Sequence, residues 1–303
     1  MAQVNMERVE RVLENLGPAH ADAQVLVNDP WSIYYLTGFY ADMFERFCGV
    51  LLAHDKEPVI MVNALHQLPE YDNARVAYHT DTDVVAEAIA CDDIEVRLAA
   101  LDDPDQGLPD SVLDTTDVLI WWGHLAHGEV DDALVERIRK RVYGGMGLIC
   151  LHSAHHSKVF RSVIGTTGNL TWGNNVHEVI WNINPTHPIA KGIPSHFKLD
   201  AEEIYAEPFQ IPDPDETVFL SWYETGYVFR GGCCWKRGAG KVFYFQPGHE
   251  TVPSFHNEYV RRIIKNAVYW AAPAETGYKI VLDGCPYLGG DFVPDGELDA
   301  FKK

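Results

Sequence analysis

Basic residues are scarce in this 303-residue chain: Lys and Arg number 24 against 44 Asp and Glu, a formal charge of −20. A surface that negative repels phosphate backbones and anionic lipid, whose binding relies on Lys and Arg displacing counterions, so neither nucleic acid nor membrane is an expected partner. Long apolar runs are missing too. None approaches the ~18 residues a membrane-spanning helix needs, and the best, residues 118–122 and 146–151, are strand-sized. Residues 1–16 carry charges throughout and contain no apolar core of a secretory leader, which makes the cytoplasm the expected compartment. The six cysteines form no CxxC, which argues against a disulfide framework and a cysteine zinc site; reduced thiols are expected. No glycine-rich phosphate loop of Walker or Rossmann type occurs, so no nucleotide cofactor is expected.

What remains is ample apolar material, 47% hydrophobic and 12% aromatic, enough to bury ordinary cores in about two domains. The N-terminal part reads as a small α/β unit. It has a charged helix over 5–16, a strand over 23–27, a helical stretch over 31–36, and two apolar runs, 47–53 and 58–62, joined as a hairpin. Residues 75–79, 83–90 and 94–101 then read as strand, helix and strand, one βαβ unit. Beyond it come a strand over 117–122, a helix over 131–143, a strand over 147–152 and a helix over 153–164. That alternation predicts a parallel sheet covered on both faces. Strands over 217–223, 227–230 and 240–246 and a helix over 256–270 close the pattern, and the Gly-, Pro- and Asp-rich tail past Pro273 is expected to wrap over the surface.

Ten of the fourteen histidines lie between His124 and His256. Three groups end predicted strands: His124 with His127, then His152, His155 and His156, then His249 followed by Glu250. The carboxyl ends of parallel strands form the ligand crevice of such sheets, so the three groups should converge. Converged imidazoles can bind zinc or another divalent metal, with His124, His152 and His249 as candidate ligands, or act as acid/base groups. Glu203, Glu207 and Glu250 could supply an oxygen ligand or a general base. No HExxH or other metal signature is present, and each histidine taken alone reads better as a hydrogen-bonded loop or core residue than as a ligand.

Ser153 sits at a strand-to-helix turn with His249 and Glu250 downstream, the order of a nucleophile, base and acid. Its neighbours are His152 and Ala154, with Leu151 and His155 outside, where an exposed nucleophile needs glycine, so a helix N-cap is the better reading. The pair Cys233-Cys234 reads as packing. Trp172, Glu203, Tyr205 and Glu207 place aromatic faces beside carboxylates, a combination that suits sugars, whose C–H faces stack on rings while their hydroxyls bond to acids.

The stretches DVLIWWGHLAH (117–127), GLICLHSAHHSK (147–158), NPTHPI (184–189) and RGAGKVFYFQPGHE (237–250) carry a resemblance. From about residue 95 to 273 the chain resembles the trehalose-utilisation (ThuA-like) family. The resemblance implies a flavodoxin-like sheet related to class I glutamine amidotransferases, whose triad Cys would fall at Ser153 and whose His and Glu would fall near His249 and Glu250. Without that Cys, amidotransferase activity is not expected. Carried over by position, the implied site comprises His124, His127, His152, His155, Glu203, Tyr205, Glu207, His249 and Glu250, with His152, Ser153, His249 and Glu250 in catalytic positions. Trp172, Glu203, Tyr205, Glu207 and His155 would bind substrate. Where the family carries Arg after Trp172 and before Pro247, this chain has Gly173 and Gln246.

The string VNDPWSIYYLTGF (27–39), with Glu45-Arg46, the strand over 50–53 and residues 58–63, resembles the N-terminal domain of creatinase and Xaa-Pro dipeptidases. The metal-bearing peptidase domain that should follow is absent, so peptidase activity is not expected. The expected division is 1–73 for this non-catalytic domain and 74–303 for the ThuA-like domain with its tail. The usual first strand of the second domain is missing, and residues 75–79 are expected to replace it, bringing His79 to the crevice beside His124 and His152. The functional expectation is an enzyme of carbohydrate utilisation acting on a disaccharide or keto-sugar by metal-assisted hydrolysis or isomerisation. The rival is a non-catalytic sugar-binding or assembly protein whose prolidase-like domain mediates dimer contacts, and a homo-oligomer is a candidate assembly under either reading.

Overall fold

The computed structural model describes residues 2–17, 20, 22–40, 48–63, 68–79 and 81–273. In the N-terminal part, Asn5 caps α1 (Met6–Glu14) by accepting from Arg8 N, and Asp29 caps α2 (Pro30–Thr37) the same way from Ser32 N. Between and after them lie β1 (Val25–Val27), β2 (Gly49–Leu52), β3 (Val59–Asn63) and β4 (Arg75–His79). They form a four-stranded sheet in chain order. Val9, Leu13, Ile33, Leu36, Val50 and Ile60 fill its own core.

Here one expectation is corrected. Residues 75–79 do form a strand, but Val76 pairs with Ile60 in parallel register, so β4 is the fourth strand of the small sheet and not the first of the large one. The reason for expecting His79 beside His124 and His152 goes with it. Pairing is decided by where a strand finds a free ladder: β3 offers one three-dimensionally adjacent to the chain's path, and Arg75 N already bonds Pro58 O. Glu45-Arg46 and the tail after Pro273 lie outside the described residues.

The second part begins with α3 (Asp81–Ile89), whose Val85 and Ile89 join the core of the large sheet. There follow α4 (Asp110–Leu113), β5 (Val118–Trp121), α5 (Asp132–Tyr143), β6 (Gly147–Leu151) and α6 (Lys158–Ile164). Then come β7 (Thr171–Asn182), β8 (His196–Ala206), β9 (Glu216–Tyr223), β10 (Val228–Arg237), β11 (Gly240–Phe245) and α7 (Glu258–Ala271). The sheet runs β5-β6-β11-β10-β9-β7-β8. The first three strands are parallel and the rest antiparallel, so the α/β class stands while half the sheet is an antiparallel extension.

Alternation decides which side each residue serves. Leu148 and Cys150 of β6 face the core containing α5 and α6, whereas Ile149 and Leu151 face the one containing α3 and α7. Residues 94–101, expected as a strand, run without a ladder partner beyond the single bridge between Cys91 and Ile94. Among the described residues no helix is long and apolar enough to cross a membrane.

Candidate functional site

Adjacent parallel strands deliver their loops to one place. β5, β6 and β11 end at Trp121, Leu151 and Phe245, and the loops beyond carry His124, His152 and His249. Their ring centroids are 6.1 Å apart for His124 and His152 and 5.3 Å for each of the other pairs. The loops are clasped by three bonds: Ser153 Oγ donates to Gly123 O at 2.8 Å, Trp122 Nε1 to Gly248 O at 2.9 Å, and Tyr244 OH to His152 O at 3.0 Å. Ser153 therefore spends its hydroxyl proton on holding the His124 loop.

His152 is fully buried and has φ of +50°, a left-handed conformation that its surroundings must enforce. Its Nδ1 lies 2.8 Å from Gln246 O, a carbonyl that only accepts, so the Nδ1 proton is fixed. That turns Nε2 toward Glu203 Oε2 at 3.1 Å and Tyr205 OH at 3.2 Å. Burial alone would lower the His152 pKa, but the bond to Glu203, the charges of Glu202 and Glu203 and the Gln246 carbonyl raise it. Glu203 in turn is pushed up by burial, yet His152, His249 and His124 hold it below the ordinary carboxylate value. Its second oxygen is 3.7 Å from His249 Nε2. Nδ1 of His249 meets Thr251 Oγ1 at 2.6 Å.

His124 Nδ1 faces Glu250 Oε2 at 3.1 Å, and among the described residues neither buried atom has a hydrogen-bond partner. Burial lowers the His124 pKa, against the attraction of Glu250 and with the repulsion of His152 and His249. One ligand atom each from His124, His152, His249 and Glu250 all lie within 4.8 Å of one another. Three imidazoles and a carboxylate are the donor set that suits zinc and related divalent ions, and two orphaned buried lone-pair atoms facing one space fit a cation there.

The remaining expected residues divide. Tyr205 stacks on His152 with centroids 4.9 Å apart, inside the cluster, and burial raises its hydroxyl pKa. His155 lies behind Tyr205, its Nδ1 2.6 Å from Gly168 O, and burial lowers its pKa to about 3. His127 stands apart near His156, lowered to about 4 mainly by burial. Glu207 is engaged elsewhere: its carboxylate takes two bonds from the Arg230 guanidinium, at 2.8 and 3.0 Å, one from Arg230 N at 3.1 Å and one from Phe209 N. Trp172 is 67% exposed at the start of β7. Gln246 donates from Nε2 to Glu203 O at 3.0 Å and so braces the base of the site.

Sequence reasoning missed Glu202. Fully buried, it accepts from Gly248 N at 3.0 Å, His249 N at 3.3 Å, Glu203 N at 2.9 Å and Ser254 Oγ at 2.5 Å, and so shapes the His249 loop. An acid directly beside Glu203 breaks the in-and-out alternation of a strand, and that irregularity was the available signal. Glu178 of β7 is buried nearby, with both carboxyl oxygens unpartnered among the described residues.

A family profile described as Trehalose utilisation matches residues 70–271, and one described as Creatinase/Prolidase N-terminal domain matches residues 8–96. No curated protein matches in sequence. Among solved structures, a ThuA-like protein from Parabacteroides merdae is 12% identical, covering 66% of this chain and 79% of its own, with a TM-score of 0.47. A second from Bacteroides uniformis is 19% identical over 66% and 77%, TM-score 0.42. A proline dipeptidase from Streptococcus pneumoniae is 30% identical over 23% of this chain and 55% of its own, TM-score 0.18.

Proposed function

We propose, from the premise that this chain belongs to the trehalose-utilisation (ThuA) family, that the histidine cluster is the active site of an enzyme acting on a neutral disaccharide or its keto derivative. The observation that carries this reading is the pair His124 Nδ1 and Glu250 Oε2, buried, 3.1 Å apart and without hydrogen-bond partners among the described residues, with His152 and His249 beside them. His124, His152, His249 and Glu250 would hold a divalent ion such as zinc. The Gln246 carbonyl at His152 Nδ1 and Thr251 at His249 Nδ1 orient the rings so that each turns Nε2 inward. When bound, such an ion supplies Lewis acidity toward a sugar carbonyl or a water.

The protein's own groups supply the rest. Glu203, with one carboxylate oxygen 3.1 Å from His152 Nε2 and the other 3.7 Å from His249 Nε2, is the general base, and accepts a proton either from carbon next to a sugar carbonyl or from water. Tyr205 OH, 3.2 Å from His152 Nε2, is placed to bond a substrate oxygen. Glu202 keeps the His249 loop in place throughout. An overall charge of −20 favours an uncharged sugar over a phosphorylated one.

Elemental analysis of the tag-free protein tests the reading, with His124→Ala and His249→Ala beside it. Near-stoichiometric zinc or another divalent metal is expected in the wild type and neither variant; a folded wild type without metal overturns the metal site. Incubation with disaccharides and 3-keto-disaccharides, read by mass, separates isomerisation, which leaves mass unchanged, from hydrolysis. The exposed ring of Trp172, outside the cluster, favours a second reading as a non-catalytic sugar-binding protein. That reading requires sugar binding without turnover, abolished by Trp172→Ala and indifferent to His249→Ala.

A further inference from the structure

The antiparallel half of the large sheet buries a second polar group, next to the histidine cluster, that the proposed chemistry does not use. Glu178 of β7 and Tyr223 of β9 are register partners, and Ser221 stands two residues along β9, so the three side chains share one face of the ladder. β10 carries one extra residue at this level, since Phe229 opposes Ser221 while Gly232 opposes Phe219, and Gly231 lies in that bulge. A Cβ at Gly231 would lie 2.4 Å from Ser221 Oγ and 3.6 Å from Gln246 Cβ, so only the missing side chain leaves room between those two residues. Glu178, Ser221, Tyr223 and Gln246 are each at most 1% exposed. Among the described residues, both carboxyl oxygens of Glu178, Ser221 Oγ, Tyr223 OH and Gln246 Oε1 have no hydrogen-bond partner. These oxygens therefore do not bond one another either; they are spaced more widely than hydrogen bonds allow.

We propose that these oxygens bind a monovalent metal cation, Na⁺ or K⁺. The donor set argues for it: a carboxylate, an amide carbonyl and two hydroxyls, without nitrogen or sulfur, are ligands for a hard cation and not for zinc. Charge then selects the valence. One carboxylate among neutral donors is balanced by a single positive charge, whereas a divalent ion would leave a buried excess. Glu202, the other acid whose charge acts on Glu178, is already engaged by Glu203 N, Gly248 N, His249 N and Ser254 Oγ. Burial, then Glu202, raises the pKa of Glu178 against the nearby Ser221 hydroxyl, so without an ion a proton neutralises it. That proton meets the charge of Glu178 but not the lone pairs of the other three residues; an ion meets them all. Gln246 connects the pocket to the histidines. Its main-chain oxygen fixes His152 Nδ1 and its Nε2 donates to Glu203 O, so an ion on Oε1 steadies the residue that orients both. Ion binding itself stands or falls independently of the reading of that cluster as an active site.

Thermal unfolding of the full-length protein near pH 8 tests this, in chloride salts of K⁺, Na⁺ or choline at equal ionic strength. At about 0.2 M, K⁺ or Na⁺ is expected to raise the Tm of the part that holds the large sheet by at least about 3 °C over choline. Equal Tm in all three salts overturns the proposal and leaves the pocket to a proton and water. Glu178→Gln keeps the shape and removes the charge, and should abolish the response. Ser221→Ala removes one neutral donor and should weaken the apparent affinity about tenfold. A response that survives Glu178→Gln places the ion elsewhere and overturns the assignment. Crystals soaked in thallium(I) acetate, a heavy stand-in for K⁺, give a readout that needs no variant. An anomalous peak between Glu178 and Ser221 is expected, and peaks confined to other places count against the site.

Discussion

Glu203 touches His152 and faces His249, so its charge is the centre of the cluster's electrostatics. Glu203→Gln keeps the shape and removes the base; kcat on the substrate found is expected to fall by about 10²–10⁴ with metal content unchanged. Glu202→Ala strands four donors and should cost about 3 kcal/mol or more in denaturant unfolding. Glu178 makes a pH prediction. Burial, then the charge of Glu202, raises its pKa well above the ordinary 4.5. The folded state therefore holds a proton that the unfolded state releases above 4.5, and stability falls as pH rises from there toward the folded value. Glu178→Gln should flatten that fall, which unfolding curves at pH 5 and pH 8 would reveal. Of these residues the histidines and Glu203 were legible, because strand-end loops announce themselves through apolar runs that stop at His. Glu202 and Glu178 were not, because a carboxylate serving the backbone looks in sequence like any surface acid.

Elements with strong local signals were readable: α5 and β6 follow from helical and strand periodicities close to their observed bounds. β7 and β8 were passed over as strands. β7 interrupts its alternation with Gly173-Asn174-Asn175 and buries Glu178, and β8 carries Glu202 and Glu203 where apolar residues would mark a strand. Conversely, residues 94–101 have a strand's spacing and no ladder, since pairing is a property of the neighbour and not of the segment. At this scale α7 offers a simple test. Asn257 caps it through Tyr259 N and Val260 N at 2.9 and 3.3 Å. Asn257→Ala should cost about 1 kcal/mol, measured by chemical denaturation.

At the scale of the molecule, the small sheet and the large sheet keep separate cores. Calorimetry is expected to show two unfolding transitions, and Trp31, the only one of eight tryptophans before residue 80, should report the one belonging to the small sheet. A single transition would show that the two cores unfold together. Composition conveyed the presence of two units, but not which of them owned β4, because both sheets could use an apolar strand of five residues. The answer, β4 on β3 with α3 already on the large sheet, means that among the described residues no strand pairing crosses residue 80. A gene cut at that codon would part the two halves without tearing a sheet. The joint is therefore a site at which inheritance could shuffle either half as a whole, and at which a protein engineer could do the same.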